Sequence, residues 1–186
     1  MKIFRFLFVL CIAFAWFTNV TAASINHGST KYGHYTQVDT IRHKMDEFGL
    51  STVWCRFHMW NGYRDVWDSY RTTEYYLCFF CNRTQKTDKF MVDKKRNIVV
   101  QVGNQTHTLS NSEYKVYNDK GYVFKSAELS GYCLDAILNE LKQRGDSAII
   151  CFRIPLAIGN TYYFYPTKEE ISEFLQGLSA FYSKIG

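Results

Sequence analysis

The sequence predicts a mainly β protein, an antiparallel β-sandwich with short helices placed near its N-terminus, mid-chain and at its C-terminus. Three observations carry that prediction. Runs of aromatic and β-branched residues recur at intervals of about ten residues from Val53 onward, separated by turn-forming residues. Of the 186 residues, 47% are hydrophobic and 21% charged, which excludes disordered, collagen-like and coiled-coil chains. Helical periodicity is confined to three stretches, and no repeat, low-complexity tract or linker divides the chain, so its length reads as one domain. The 22 basic and 17 acidic residues give a net charge of +5, but the two signs are interspersed. No polyanion-binding stripe results, and no nucleic-acid partner is predicted.

Residues 1–22 follow a separate logic. Lys2 and Arg5 precede Phe6 to Thr18, an uncharged apolar run of 13 residues, and Val20-Thr21-Ala22 places small residues where a signal peptidase cuts. A helix of that length rises roughly 20 Å, short of a hydrocarbon core about 30 Å thick, so the run reads as a cleaved signal peptide. No later segment reaches transmembrane length, and no integral membrane segment is expected after cleavage. The expected mature chain is residues 23–186, a single disulfide-stabilised β-rich domain with 20 basic and 17 acidic residues, periplasmic or secreted.

Each element has its own warrant. Within Thr36 to Phe48, Val38, Ile41, Met45 and Phe48 recur at helical spacing before Gly49, which predicts the first helix. Residues 53–60 (VWCRFHMW) and 63–70 (YRDVWDSY) flank Asn61-Gly62, the strongest two-residue hairpin signal. In that hairpin Trp60 faces Tyr63, His58 faces Asp65 and Arg56 faces Trp67. One face then carries Trp54, Arg56, His58, Trp60, Tyr63, Asp65 and Trp67, and the other Val53, Cys55, Phe57, Met59, Val66 and Tyr70, which reads as core. Trp60, Tyr63, Trp67 and Tyr70 also recur at helical spacing, but the Asn-Gly pair disfavours a helix.

Further strands are predicted over 73–81, 89–93, 97–102, 105–109, 113–117, 122–126, 147–154 and 161–165. Those at 89–93 and 97–102, and at 113–117 and 122–126, read as hairpins. Residues 131–145 read as the mid-chain helix, with Leu134, Ile137, Leu138 and Leu141 as its stripe and Gly145 as its stop. Thr167 and Glu170 form a capping box opening the last helix, lined by Ile171, Phe174, Leu175, Leu178 and Phe181.

Five cysteines follow the leader: Cys55, Cys78, Cys81, Cys133 and Cys151. In an oxidising compartment they read first as disulfide candidates, with Cys133–Cys151 favoured, Cys55 paired to Cys78 or Cys81, and one thiol left over. Cys78-Phe79-Phe80-Cys81 has CxxC spacing, but positions i and i+3 of a strand point to opposite faces. That geometry suits neither a redox site at a helix N-terminus nor a shared zinc, and no second ligand pair is present, so no metal is expected. A Cys–His pair built on Cys55 and His58, or on His27, His34, His43 or His107, is the hydrolase alternative. No GxSxG, HExxH, Walker or Rossmann pattern occurs, and no cofactor is expected. Asn82-Arg83-Thr84 and Asn104-Gln105-Thr106 match glycosylation acceptors, which matter only in a eukaryotic secretory pathway. The best binding candidates are Trp60, Tyr63 and Trp67, an aromatic platform for sugar or peptide, with His58 and Asp65 as a charge-assisted pair among them.

From Asn97 to the end the chain resembles the invasion-associated locus B family of exported bacterial proteins. The similarity lies in NIVVQVGNQTHTL, CLDAILNELKQRG and AIICFRI, in the closing Phe174 to Phe181 segment, and in the earlier Trp54-Cys55. It implies an antiparallel β-sandwich in a bacterial periplasm or at its surface, without enzyme activity and without catalytic residues to carry over. The expectation is therefore an exported, non-enzymatic binding or interaction protein whose partner is a protein or glycan at the cell envelope or a host surface. An exported thiol-dependent enzyme, acting through Cys78/Cys81 or a Cys–His pair, is the first alternative. A periplasmic inhibitor or immunity-type protein is the second.

Overall fold

Alternating burial along successive strands organises the chain into two antiparallel sheets packed face to face, seen in a computed structural model that describes residues 24–40, 43–44, 52–63, 69–82, 92–117 and 122–185. The strands are β1 (Ser24–Thr30), β2 (Gly33–Asp39), β3 (His43–Lys44), β4 (Thr52–Gly62), β5 (Thr72–Asn82), β6 (Val99–Val102), β7 (Gln105–Thr108), β8 (Ser110–Tyr117) and β9 (Tyr122–Glu128). Helix α1 (Gly131–Arg144), a 3-10 turn at Gly145–Ser147, β10 (Ile150–Pro155), β11 (Thr161–Phe164) and helix α2 (Lys168–Ile185) complete the described elements. The larger sheet runs β1-β2-β4-β5-β9-β8, with β3 also paired to β4, and the smaller runs β11-β10-β6-β7. The architecture is a sandwich and not a closed barrel.

The core lies between the sheets. Val53, Cys55, Phe57 and Met59 of β4, Leu77 and Phe79 of β5, and Val123 and Ala127 of β9 point inward, and all are buried. From the smaller sheet Val100, Phe152, Ile154 and Phe164 meet them, with the Phe57 and Phe152 rings 5.8 Å apart. Helix α2 packs on the same inner face, its Phe174 ring 4.5 Å from that of Phe57. Thr167 and Glu170 form the capping box: Thr167 N–H donates to Glu170 Oε2 at 2.7 Å, and Glu170 N–H donates to Thr167 Oγ1 at 3.2 Å. The α1 stripe buries Leu134 and Ile137, and Leu175 of the α2 stripe instead faces solvent.

A lysine sits deep in this interior. Lys125, at the centre of β9, is 1% exposed and donates from Nζ to the carbonyls of Asp93, at 2.6 Å, and Arg96. Asp93 Oδ1 in turn accepts the N–H groups of Lys95 and Arg96, closing the turn that Lys125 holds from within.

Three expected elements differ. Residues 33–39 form β2 and not a helix: Thr36, Val38 and Thr40 are buried at every second position, and the strand is paired on both sides. Of the rest of that predicted helix, His43 and Lys44 pair with β4 as β3, and residues 41–42 and 45–48 lie outside the described residues. Asn61 and Gly62 are not a turn but the last pairs of β4, with Gly62 opposite both Gly33 and Thr72. Residues 53–62 therefore pair with 33–39 and 72–81 instead of 63–70, and Tyr70 is 78% exposed instead of core. Val92 bridges Leu156 and β6 pairs with β10 and β7, so residues 92–93 do not pair with 97–102 as a hairpin; residues 89–91 lie outside the described residues. The 113–117/122–126 hairpin is present as β8 and β9. The leader lies outside the described residues, and no described helix is long and apolar enough to cross a membrane.

Candidate functional site

With the core on one side of the larger sheet, the other side takes the alternate residues. Register places them in rows: Asp39–Arg56–Cys78, Gln37–His58–Tyr76 and Tyr35–Trp60–Glu74 run across β2, β4 and β5. A further row places Trp54, Phe80 and Phe124 side by side. Phe80 stacks parallel on Trp54, centroids 5.0 Å apart, and lies 5.1 Å from Phe124. Asp39 accepts two hydrogen bonds from Arg56, Nε at 2.5 Å and Nη2 at 2.9 Å, and the guanidinium also lies 5.3 Å from the Phe80 ring. The face is thus a laminate of stacked rings with its charges paired internally.

At one end the rows open into a cleft of about 410 Å³ lined by Tyr32, His58, Trp60, Tyr63, Glu74 and Tyr76. Glycines shape it. A Cβ at Gly62 would fall 2.6 Å from Cζ2 of Trp60 and 2.4 Å from the Tyr32 carbonyl oxygen, and one at Gly33 would meet the same indole at 2.9 Å. The paired glycines therefore let β2 and β4 close up beneath the indole. The Tyr63 N–H donates to Tyr32 O at 2.9 Å, fixing the β1–β2 turn beside the end of β4.

His58 is held at three points. Its ring lies 5.7 Å from that of Tyr35 and 6.3 Å from that of Tyr76, and Gln37 Nε2 donates to its Nδ1 at 2.9 Å. An amide nitrogen only donates, so Nδ1 accepts and Nε2 carries the proton of a neutral imidazole. Burial, reinforced by the nearby Arg56 charge, lowers the His58 pKa and favours that neutral form. Glu74 accepts hydrogen bonds from the Tyr76 and Thr72 hydroxyls.

Of the five binding candidates, the structure brings His58, Trp60 and Tyr63 to one cleft, while Asp65 and Trp67 lie outside the described residues. The expected pairing of His58 with Asp65 is replaced by Gln37 on one side and Tyr76 on the other, because β4 lies between β2 and β5. Tyr32, Tyr35, Gln37, Glu74 and Tyr76 were not legible as partners. The signal that could have found them is the period-two alternation of residues 33–39, masked by an overlapping helical spacing.

No disulfide joins the cysteines expected to pair. Cys55, Cys78, Cys81, Cys133 and Cys151 are all buried, unbridged thiols. Cys133 joins the core from α1, whereas Cys151 points away from that core, beside Tyr165 and Arg153, on the side of β10 opposite Phe152 and Ile154. Cys55 and Cys81 share the inner face and Cys78 faces outward beside Arg56, so the CxxC cysteines straddle the sheet. Burial pushes the Cys78 thiol up to about 12 and Cys133 up to about 11, and raises Cys55 and Cys151 as well. Cys55 and His58 lie on opposite faces of β4 and do not form a pair. Among the described residues no group of three or more His, Cys, Asp or Glu side chains gathers as a metal site.

A second groove, of about 400 Å³, lies between α1 and the β6–β7 turn, lined mainly by polar groups including Asn104, Gln105, Asp135 and Asn139. It has one ring, Tyr132, and lacks the stacked framework of the first. Comparison of the chain with family models, with curated proteins and with solved structures gave no match.

Proposed function

We propose that the protein is an exported, non-enzymatic binding module that engages a protein or glycan at the cell envelope or a host surface through the outer face of its larger sheet. Membership of the invasion-associated locus B family, with residence in the periplasm or outside the cell, is part of the same proposal. The observation that carries it is the cleft around Trp60: six side chains from β4, β5, the β1–β2 turn and the residue after β4, four of them large aromatic rings. Aromatic rings held rigidly at a surface supply contact area at little ordering cost, which is what binding surfaces select. The alternative of a thiol-dependent enzyme is disfavoured, because a protonated, buried thiol is a poor nucleophile.

The test measures binding of the labelled secreted protein to envelope preparations and to host-cell surfaces. Trp60→Ala is expected to lower binding at least tenfold while circular dichroism stays that of the parent, and Tyr132→Ala in the second groove is expected to bind like the parent. Loss with Tyr132→Ala and retention with Trp60→Ala would overturn the proposal.

A further inference from the structure

We infer that the cleft around Trp60 accepts a neutral saccharide. The inference rests on the reading of the outer face as a binding surface and narrows it to one ligand chemistry. Three properties of the lining lead there.

The first is the mixture of rings and polar atoms. Tyr32, Trp60, Tyr63 and Tyr76 offer aromatic surface, and a π face carries negative charge that attracts the weakly positive C–H groups on one side of a pyranose. Between the rings stand a carboxylate, tyrosine hydroxyls and the His58 Nε2–H, which no protein group among the described residues accepts. Sugar hydroxyls donate and accept at once, and such a lining provides for both. A purely apolar ligand would strip water from Glu74 and return no hydrogen bond.

The second is charge. Among the described residues lining the cleft Glu74 is the one that carries a formal charge, and it already accepts two hydroxyls from its own chain. Lys31 lies 4.6 Å from the centre of the Tyr32 ring and Arg71 lies 5.7 Å from that of Tyr63, so positive charge flanks the negative. Burial favours the neutral form of His58, and Arg56 is committed to Asp39. A polyanion meets Glu74 and a polycation meets Lys31 and Arg71; an uncharged, hydroxyl-rich ligand meets neither penalty.

The third is preorganisation and size. The indole is fixed over the Gly33–Gly62 pair and the imidazole by Gln37 and Tyr35, so little freedom is lost on binding. The depression of about 410 Å³ is open to solvent, so a ligand lies across the rings and is not enclosed.

The experiment titrates the secreted protein with cellohexaose, maltohexaose and chitohexaose, and separately with a heparin hexasaccharide, hexalysine and an uncharged Ser/Gly/Tyr hexapeptide, following heat and the indole resonances. Saturable binding of at least one neutral hexasaccharide, weakened at least tenfold by Trp60→Ala and about threefold by Glu74→Gln, supports the inference. Should Trp60→Ala fail to fold, Tyr63→Ala carries the same expectation, since Tyr63 lies beyond the end of β4. Binding of a charged probe or of the hexapeptide at Trp60, with none of the neutral sugars bound, overturns the saccharide and leaves the outer-face reading standing. If no probe perturbs this face and the protein still binds its envelope or host-surface target through another face, both fall.

Discussion

Gly62 packs against the indole of Trp60, so close that a Cβ there would fall 2.6 Å from Cζ2. Gly62 also meets Gly33, whose Cα would be 2.8 Å from the same Cβ. Gly62→Ala is therefore expected to destabilise the protein by about 1–3 kcal/mol, the usual consequence of forcing an extra methyl into a packed site. Equilibrium denaturation measures it, and the tryptophan emission should shift to the red as the displaced indole meets water. A cost below about 0.5 kcal/mol, the scale of an ordinary surface substitution, would contradict the packing described.

The Thr167–Glu170 box predicts a second effect. Thr167→Ala removes the acceptor for the Glu170 N–H and should cost about 0.5–2 kcal/mol. Thr167→Ala combined with Glu170→Ala should cost less than the sum of the two, since both act on the first turn of α2. Strict additivity by denaturation would show that the box does not act as a unit.

Lys125 predicts the response to alkali. Burial, and secondarily the Arg96 charge, lower its pKa to about 8 against the Asp93 carboxylate, which opposes the shift, from an ordinary value of 10.5. Below pH 8 both folded and unfolded chains hold the proton and the cost of the buried ammonium is fully present. Between pH 8 and 10.5 the unfolded chain binds more protons, so this group makes the fold more stable as pH rises. Denaturation midpoints measured across that window should rise for the parent relative to Lys125→Met, in which this contribution is absent. A parent that gains nothing over Lys125→Met would contradict the assignment.

The thiols predict inertness. With Cys78 pushed up to about 12 and Cys133 to about 11 by burial, native protein at pH 8 should react with iodoacetamide far more slowly than unfolded protein, and mass spectrometry should find no Cys133–Cys151 bridge. Rapid labelling of Cys78 in the folded state, or a bridge between any two of the five, would contradict the structure.

Legibility in the sequence followed the range of the forces involved. The division of β4 into an inner face of Val53, Cys55, Phe57 and Met59 and an outer face of Trp54, Arg56, His58 and Trp60 was readable, because alternation is local to the strand. So were the β8–β9 hairpin, both later helices and the capping box, whose signals span a few residues each. The β2 strand and the role of Gly62 were not. Val38 and its helical-spaced neighbours supported a local helix, and Asn61-Gly62 a local turn, yet β2 gains partners on both sides and Gly62 gains Gly33 across the sheet. Those are contacts between residues far apart in the chain, and they override local preference. The site suffered the same way: His58, Trp60 and Tyr63 were visible as neighbours in sequence, whereas Tyr32, Gln37, Glu74 and Tyr76 reach them only through pairing.

The measurement that tests the central claim most directly is a two-dimensional NMR map of the isotopically labelled protein during titration with the neutral hexasaccharides. The account predicts that ligand-dependent shifts concentrate on the Trp60 indole and on His58, Tyr63 and Tyr76, and leave α1 unmoved. Shifts confined to Asn104, Asp135 and Asn139, with the Trp60 indole unchanged at saturation, would contradict it.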